Sequence, residues 1–319
     1  MTHRLVVTRA LPGPVIRRAA ADYDARFLDF QAGFEPETLL SAIEAAAAVL
    51  VTPADPIDQA LIARLPASVR VIGTFSVGTD HIDLDAARAR GLAVVNTPDV
   101  LSFATAEIAL TLMLMAARRA GEGERLVRAR AWPGWKPDFM LGTTLEGKTL
   151  GILGMGRIGR TLARMARGLS MQVLYHNRNR LHPEHEQGAT FHAREDHFFA
   201  ECDVLSIHLP GGAATRHWLN AERIAHLKRG AIVVNTGRGT AIDDDALIAA
   251  LKSGHVAAAG LDVFPAEPAV PAGYLDLENI VLLPHLGSAT IETRVAMGML
   301  ALDGIDAMLV GEEPANRVA

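Results

Sequence analysis

Short apolar runs rich in β-branched residues alternate with helical patterns along almost the whole chain, and no other feature constrains the fold as strongly. Leu5–Thr8, Val49–Thr52, Val69–Phe75 and Leu92–Asn96 read as strands, with helices at Pro14–Ala21, Pro36–Ala46, Ile57–Leu65 and Asp83–Arg90 between them. Strands separated by helices pair in parallel through right-handed crossovers, and strands without polar alternation are covered on both faces. A second series has strands at Thr149–Leu153, Gln172–Tyr175, Val204–Leu209, Ala231–Asn235, Ala258–Asp262 and Asn279–Leu283. Its helices fall at Arg157–Gly168, Arg194–Ala200, Ala221–Lys228 and Asp243–Ser253, and a helix from Thr290 to about Leu309 closes the chain. At about 100–200 residues per domain, 319 residues make two domains, so the expectation is an α/β protein of two doubly wound parallel sheets. Between the series, Ala104–Arg119 is a helix apolar on nearly every side, which implies burial on more than one face. Gly121–Gly142, containing Ala131-Trp-Pro-Gly-Trp-Lys-Pro137, shows no period and reads as a projecting loop or arm.

Composition removes several function classes. A net charge of −5 gives no electrostatic footprint for nucleic acid or an anionic membrane. The longest apolar run, Ile108–Ala117, is too short to span a bilayer. The first residues, Met1-Thr-His-Arg-Leu-Val-Val-Thr8, lack a signal-peptide core, and the one cysteine, Cys202, forms no internal disulfide; together these lead us to expect a cytoplasmic protein. No metal-ligand spacing occurs, so no metal is expected.

The segment Gly154-Met155-Gly156-Arg157-Ile158-Gly159 follows a strand and opens a helix. In that setting the first glycine makes the tight turn, the second lets backbone approach a pyrophosphate, and the third packs helix on strand. The helix N-terminus then offers N–H groups and partial positive charge to phosphates. A dinucleotide site of this kind calls for an acid about 20 residues on, to hold a ribose 2′-OH. Here the second strand runs into Asn177-Arg178-Asn179-Arg180. A carboxylate would repel a 2′-phosphate, whereas arginine forks pair with one, so Asn177, Arg178 and Arg180 favour NADP(H), with NAD(H) the alternative.

Three reactive side chains lie just past strand ends: Arg238 in Asn235-Thr236-Gly237-Arg238-Gly239, Glu267 in Asp262-Val-Phe-Pro-Ala-Glu267-Pro, and His285 in Pro284-His285-Leu-Gly287-Ser288. Ligands of open α/β sheets sit outside those ends. Reduction of a carbonyl leaves charge on oxygen and needs a proton donor and a cation. Histidine supplies the proton near neutral pH, a neighbouring carboxylate favours its charged form, and arginine clamps a carboxylate. Taken singly, each could be an ordinary loop residue; their joint placement beside a nucleotide turn favours catalysis.

With Ser76-Val77-Gly78-Thr-Asp80-His-Ile-Asp83, Ala104-Thr105-Ala-Glu107 and Cys202-Asp-Val-Leu-Ser-Ile-His208-Leu-Pro210 added to those motifs, the chain resembles the D-isomer-specific 2-hydroxyacid dehydrogenase family over essentially its whole length. Within it the Asn-Arg-x-Arg stretch is most similar to that of the NADPH-dependent glyoxylate/hydroxypyruvate reductases. The resemblance implies that Arg238 orients a 2-oxoacid, that His285 donates the proton, and that Glu267 holds His285 cationic. Val77 and Gly78 would present backbone N–H groups to the substrate carboxylate. Thr105, Thr236, Asp262 and Ser288 would line the nicotinamide end, with Pro210 and Thr215 toward the adenosine, and His208, Gly237 and Gly287 would also bind the cofactor. Gly211-Gly212 is looser than the usual polar stretch there. The family layout implies residues 1–100 plus 290–319 as substrate-binding domain and 101–289 as dinucleotide-binding domain, Rossmann- and flavodoxin-like units with a cleft between them. It also implies a homodimer in which Trp135 corresponds to an arm tryptophan that can reach the partner's active site.

The expected function is therefore NADPH-preferring reduction of small 2-oxoacids such as glyoxylate and hydroxypyruvate. The alternatives are another D-2-hydroxyacid dehydrogenase, acting on phosphoglycerate, D-lactate or a bulkier oxoacid, and a nicotinamide-sensing binding protein without turnover. Formate dehydrogenases, similar in fold, carry glutamine where this chain has Glu267, which argues against that activity.

Overall fold

The computed structural model describes residues 2–30 and 33–319; Met1, Gln31 and Ala32, within the first expected domain, lie outside them. The chain separates into two compact units, one running to Leu101 and resuming at Ala289–Ala319, the other Ser102–Ser288.

The first unit is built on β1 (Arg4–Val7), β2 (Asp24–Phe27), β3 (Ala48–Val51), β4 (Val71–Thr74) and β5 (Ala93–Val95), all parallel in the order β2-β1-β3-β4-β5. That is the flavodoxin-like order. Alternate residues face opposite sides: Val6, Val49, Ile72 and Val94 pack with Leu39, Ile43, Leu61 and Ile62, whereas Leu5, Val7, Leu50 and Val95 pack with Val15, Leu302 and Ile305. Both faces are covered, so the strands carry no polar alternation. The helix Ile291–Val310 lies so near β4 that a Cβ on Gly73 would sit 2.7 Å from Ile305 Cδ1. β2 was not expected: its sequence Asp-Ala-Arg-Phe lies at the sheet edge, largely exposed, and lacks an apolar run.

The second unit carries β6 (Thr149–Leu153), β7 (Gln172–His176), β8 (Thr190–Phe191), β9 (Val204–Ile207), β10 (Ala231–Asn235), β11 (Val256–Leu261) and β12 (Ile280–Leu282). They form one parallel sheet ordered β12-β11-β10-β9-β6-β7-β8, a Rossmann order whose switch point lies between β6 and β9. The helix Ser102–Ala117 rests on this sheet through Ala109, Leu112, Met113 and Ala116; a Cβ on Gly260 would stand 2.8 Å from Leu112 Cβ. Phe103 and Leu114, on the same helix, stay exposed, so the stripe facing away from the sheet is not covered within the chain. The expected arm is shorter than its sequence suggested, because Ala120–Arg128 is a helix. Nothing on it is buried, so no apolar period marks it; ion pairs Arg119–Glu122 and Arg128–Glu124 line it instead. Among the described residues no helix is long and apolar enough to cross a membrane.

Candidate active site

β6 ends in the glycine turn, and each glycine meets a different surrounding. Gly154 has φ +93°, and a Cβ there would come within 2.8 Å of the His208 carbonyl oxygen. At Gly159 a Cβ would stand 2.7 Å from Gly154 O and 2.9 Å from Ile152 Cγ2, so this glycine lets the helix Arg157–Gly168 approach β6. Gly156 differs: a Cβ there meets nothing within 4 Å and would project into open space at the helix N-terminus. That helix start has no side-chain cap and no acid in its first turn. An open cradle, a bare helix N-terminus and the switch point beside it fit a dinucleotide pyrophosphate. Met155 offers less than its place in the motif suggested. Its side chain is core, and its N–H donates to Asn177 Oδ1 at 2.7 Å. That bond also orients the Asn177 amide, leaving Nδ2 as a donor. Arg157, Ile158 and Arg178 lie at the exposed or half-buried rim.

On the other side of the switch point, His208 is enclosed between Ser206 Oγ (2.9 Å from Nε2) and Thr236 Oγ1 (3.3 Å from Nδ1). Burial pushes its pKa down to about 4, so it is neutral at pH 7. Pro210 is exposed, and the Thr215 hydroxyl turns back to donate to Pro210 O at 2.7 Å. Thr105 and Thr236 are buried, and Gly287 sits beside Thr105 and Asp262.

The loops after β10, β11 and the Ile280–Leu282 strand bring the three expected reactive residues together. Asn235 holds the first of them: its Oδ1 accepts from Gly237 N (3.0 Å) and its Nδ2 donates to Arg238 O (2.9 Å). Next to it, a Cβ on Gly239 would fall 2.0 Å from Phe264 C, so this glycine alone allows the backbones of two loops to touch. Phe264 N in turn donates to Glu267 Oε1 (2.9 Å), and Glu267 Oε2 lies 2.7 Å from His285 Nδ1. Burial would raise the Glu267 pKa, but hydrogen bonds from His285 and Phe264 N, with the nearby charges of His285 and Arg238, bring it below its ordinary value. An ionised Glu267 only accepts, so His285 Nδ1 carries the hydrogen of this bond and Nε2 is the ring nitrogen left for proton exchange. The two side chains retain 46% and 35% of their surface, open enough for a substrate.

Asp262 is more than a wall of the site. Its carboxylate accepts from Leu286 N (2.7 Å) and Gly287 N (2.8 Å), and its carbonyl from His285 N (2.9 Å). These bonds hold His285 at φ +54°, a left-handed conformation that a non-glycine residue keeps only when its surroundings enforce it. Burial raises the Asp262 pKa, and the two N–H donors pull the other way.

In the first unit the Val77–Gly78 loop is tied from beneath. Asn96 Nδ2 donates to Val77 O (2.9 Å) and Ser76 Oγ to Gly78 O (2.6 Å). In a trans peptide the C=O and the next N–H point oppositely, so both bonds aim N–H groups of Gly78 and Thr79 away from the core. Asn96 under the Val77–Gly78 loop, and Asn235 and Gly239 around Arg238, hold their own loops without standing out in sequence; the signal for each was its position beside a motif residue at a strand end. Trp135 stands in the segment after the helix Ala120–Arg128 and is 81% exposed. Arg180, grouped with Arg178 in sequence, instead pairs with Glu186. No group of three or more His, Cys, Asp or Glu able to hold a metal occurs among the described residues.

Two parallel α/β units, one with a nucleotide turn and an arginine–glutamate–histidine cluster at its strand ends, define a nicotinamide-dependent oxidoreductase. The family profile for the D-isomer specific 2-hydroxyacid dehydrogenase NAD binding domain matches residues 110–287. Glycerate dehydrogenase of Hyphomicrobium methylovorum is 40% identical over 318 residues, 99% of each chain. Glyoxylate reductase of Aeropyrum pernix is 42% identical over 99% of this chain and 95% of its own. A crystal structure of an NADPH-dependent glyoxylate/hydroxypyruvate reductase from Sinorhizobium meliloti, in complex with NADP and malonate, superposes with a TM-score of 0.90 at 31% identity, covering 100% of this chain and 97% of that one. The chain belongs to the D-isomer specific 2-hydroxyacid dehydrogenase family, and its reaction class is the reduction of 2-oxoacids with a nicotinamide nucleotide.

Proposed function

We propose that the protein reduces small 2-oxoacids such as glyoxylate and hydroxypyruvate to 2-hydroxyacids, with NADPH preferred over NADH. The observation that carries this reading is the Glu267–His285 pair at 2.7 Å with the Arg238 charge acting on the same carboxylate. A bound reduced nicotinamide supplies the hydride. Arg238 pairs with the substrate carboxylate, and His285 Nε2 gives its proton to the oxygen that gains charge. Glu267, ionised, holds the His285 ring through Nδ1; Thr105, Thr236 and Ser288, with Asp262 behind them, would line the nicotinamide end. Asn177 and Arg178 support NADPH, because neither opposes a 2′-phosphate as an acid would. The names of similar proteins, glyoxylate reductase and glycerate dehydrogenase, support the small substrate. The exposed Phe103, Leu114, Trp132 and Trp135 support a homodimer, which light scattering on the purified protein would test against a monomer.

Initial rates of NADPH and NADH oxidation with glyoxylate, hydroxypyruvate, pyruvate and phenylpyruvate test the proposal. Fastest turnover with NADPH and one of the first two is expected. A best rate with phenylpyruvate or with NADH would overturn the substrate or cofactor part, and nucleotide binding without turnover of any oxoacid would point to a sensor.

A further inference from the structure

The second unit holds a cavity of about 540 Å³ at the end of its sheet where the strands begin. Lys148 precedes β6, Asp203 precedes β9, Lys228–Gly230 precede β10, and Glu278 and Asn279 precede β12. The glycine turn and the Arg238, Glu267 and His285 loops follow the other ends of these parallel strands, and the five residues of β10 put roughly 16 Å of strand between the two places.

Its floor is apolar. Ala116 and Ala117, which end the helix Ser102–Ala117, pack with Leu145, Ile232 and Val281, all buried. Met115 and the exposed Leu141 extend this wall toward solvent.

The charges of the lining do not balance. Arg119 closes two guanidinium donors on Glu122 (2.9 and 2.7 Å), and Glu278 takes Arg125 at 2.7 Å. Asp203 accepts from Thr149 N (2.8 Å) and from Lys228 Nζ (3.1 Å). Burial would raise the Asp203 pKa, but these two donors and the nearby charge of Lys148 bring it below its ordinary value. Each acid of the lining is thus ion-paired with a cation of its own. Lys148, half-buried, and Arg229, exposed, remain: neither forms an ion pair among the described residues, and the Arg229 guanidinium reaches only Ser253 O, at 3.5 Å.

We propose that this cavity is a second ligand site, apart from the nucleotide turn and the catalytic cluster, and that it takes a carboxylate carrying an apolar chain. The chain covers the floor made by Ala116, Ile232 and Val281, and the carboxylate is drawn to Lys148 and Arg229. Small-molecule pockets span about 300–1,000 Å³ and combine apolar walls with a few polar groups that orient the ligand. A two- or three-carbon oxoacid would leave most of this volume unfilled, so the cavity is not a second substrate site. Inorganic phosphate would satisfy the cations and leave the apolar floor uncovered.

The probes are hexanoate, octanoate and octylammonium, measured by equilibrium dialysis against the purified protein saturated with NADPH. Octanoate should bind once per chain, and hexanoate at least about fivefold more weakly, since two methylenes are lost from an apolar surface. Octylammonium should not bind. Lys148→Gln and Arg229→Gln should each weaken octanoate at least about threefold, and the double variant at least about tenfold, as loss of charge-assisted contacts does. Unfolding temperature and NADPH binding should stay at wild-type values in all three. Arg238→Ala should leave octanoate binding unchanged. Octanoate binding lost in Arg238→Ala and intact in the double variant would place the carboxylate at the catalytic cluster and overturn the proposal. Equal binding of octanoate and octylammonium, equal binding of octanoate and hexanoate, or no binding of octanoate would overturn it as well.

Discussion

Glu267 receives two donors, Phe264 N and His285 Nδ1, and its pKa lies below the ordinary value despite partial burial. The consequence is directional. Glu267 stays ionised as pH falls into the mildly acidic range, so it accepts from His285 Nδ1 wherever reduction is measured. Glu267→Gln removes the charge beside His285 Nδ1 and should lower kcat for reduction while leaving nucleotide binding unchanged; an unchanged kcat would sever the pair. Asp262→Asn keeps the shape but weakens the hold on Leu286 N and Gly287 N, and should lower kcat more than it weakens nucleotide binding. Equal losses in both would make Asp262 a nucleotide contact alone.

Elements meet through glycines, and these separate folding from binding. Gly239→Ala drives a Cβ into Phe264 backbone, so both loops must shift; we expect a destabilisation of roughly 1–3 kcal/mol with near loss of turnover. Gly159→Ala should also lower the unfolding temperature, because Gly154 O and Ile152 bound the space. Gly156→Ala meets no protein atom and should unfold as wild type does, yet weaken both nucleotides at least about tenfold, or about 1.4 kcal/mol. Normal binding in Gly156→Ala would mean that the cradle holds no phosphate. These elements were legible unevenly, for physical reasons. The Arg157–Gly168 helix and β10 matched their sequence bounds because apolar period and glycine punctuation act locally. β2 and the helix Ala120–Arg128 left no such trace, being exposed and held by edge pairing or charge pairs. The Arg238, Glu267 and His285 motifs were readable because each lies just past a strand. What Asp262 and Glu186 do was not, since it depends on contacts that only folding creates.

At the scale of the whole molecule, acid stability reports on Glu186, which accepts from Arg180 and Tyr175. Its folded pKa of about 2 lies below the ordinary 4.5, so its contribution is complete above about 4.5 and is lost as pH falls toward 2. The unfolding temperature of Glu186→Gln should therefore lie below wild type at pH 7 and approach it near pH 2; a constant gap across that window would assign the difference to packing. The central claim, however, is that this fold turns over a 2-oxoacid with His285 as the proton donor. The most direct measurement is NADPH-dependent reduction of glyoxylate by wild type and His285→Ala, alongside NADPH binding to both. The account predicts a loss of about 10²–10⁴ in kcat with nucleotide binding retained, the range for removing a general acid. Equal turnover by the two proteins would contradict it.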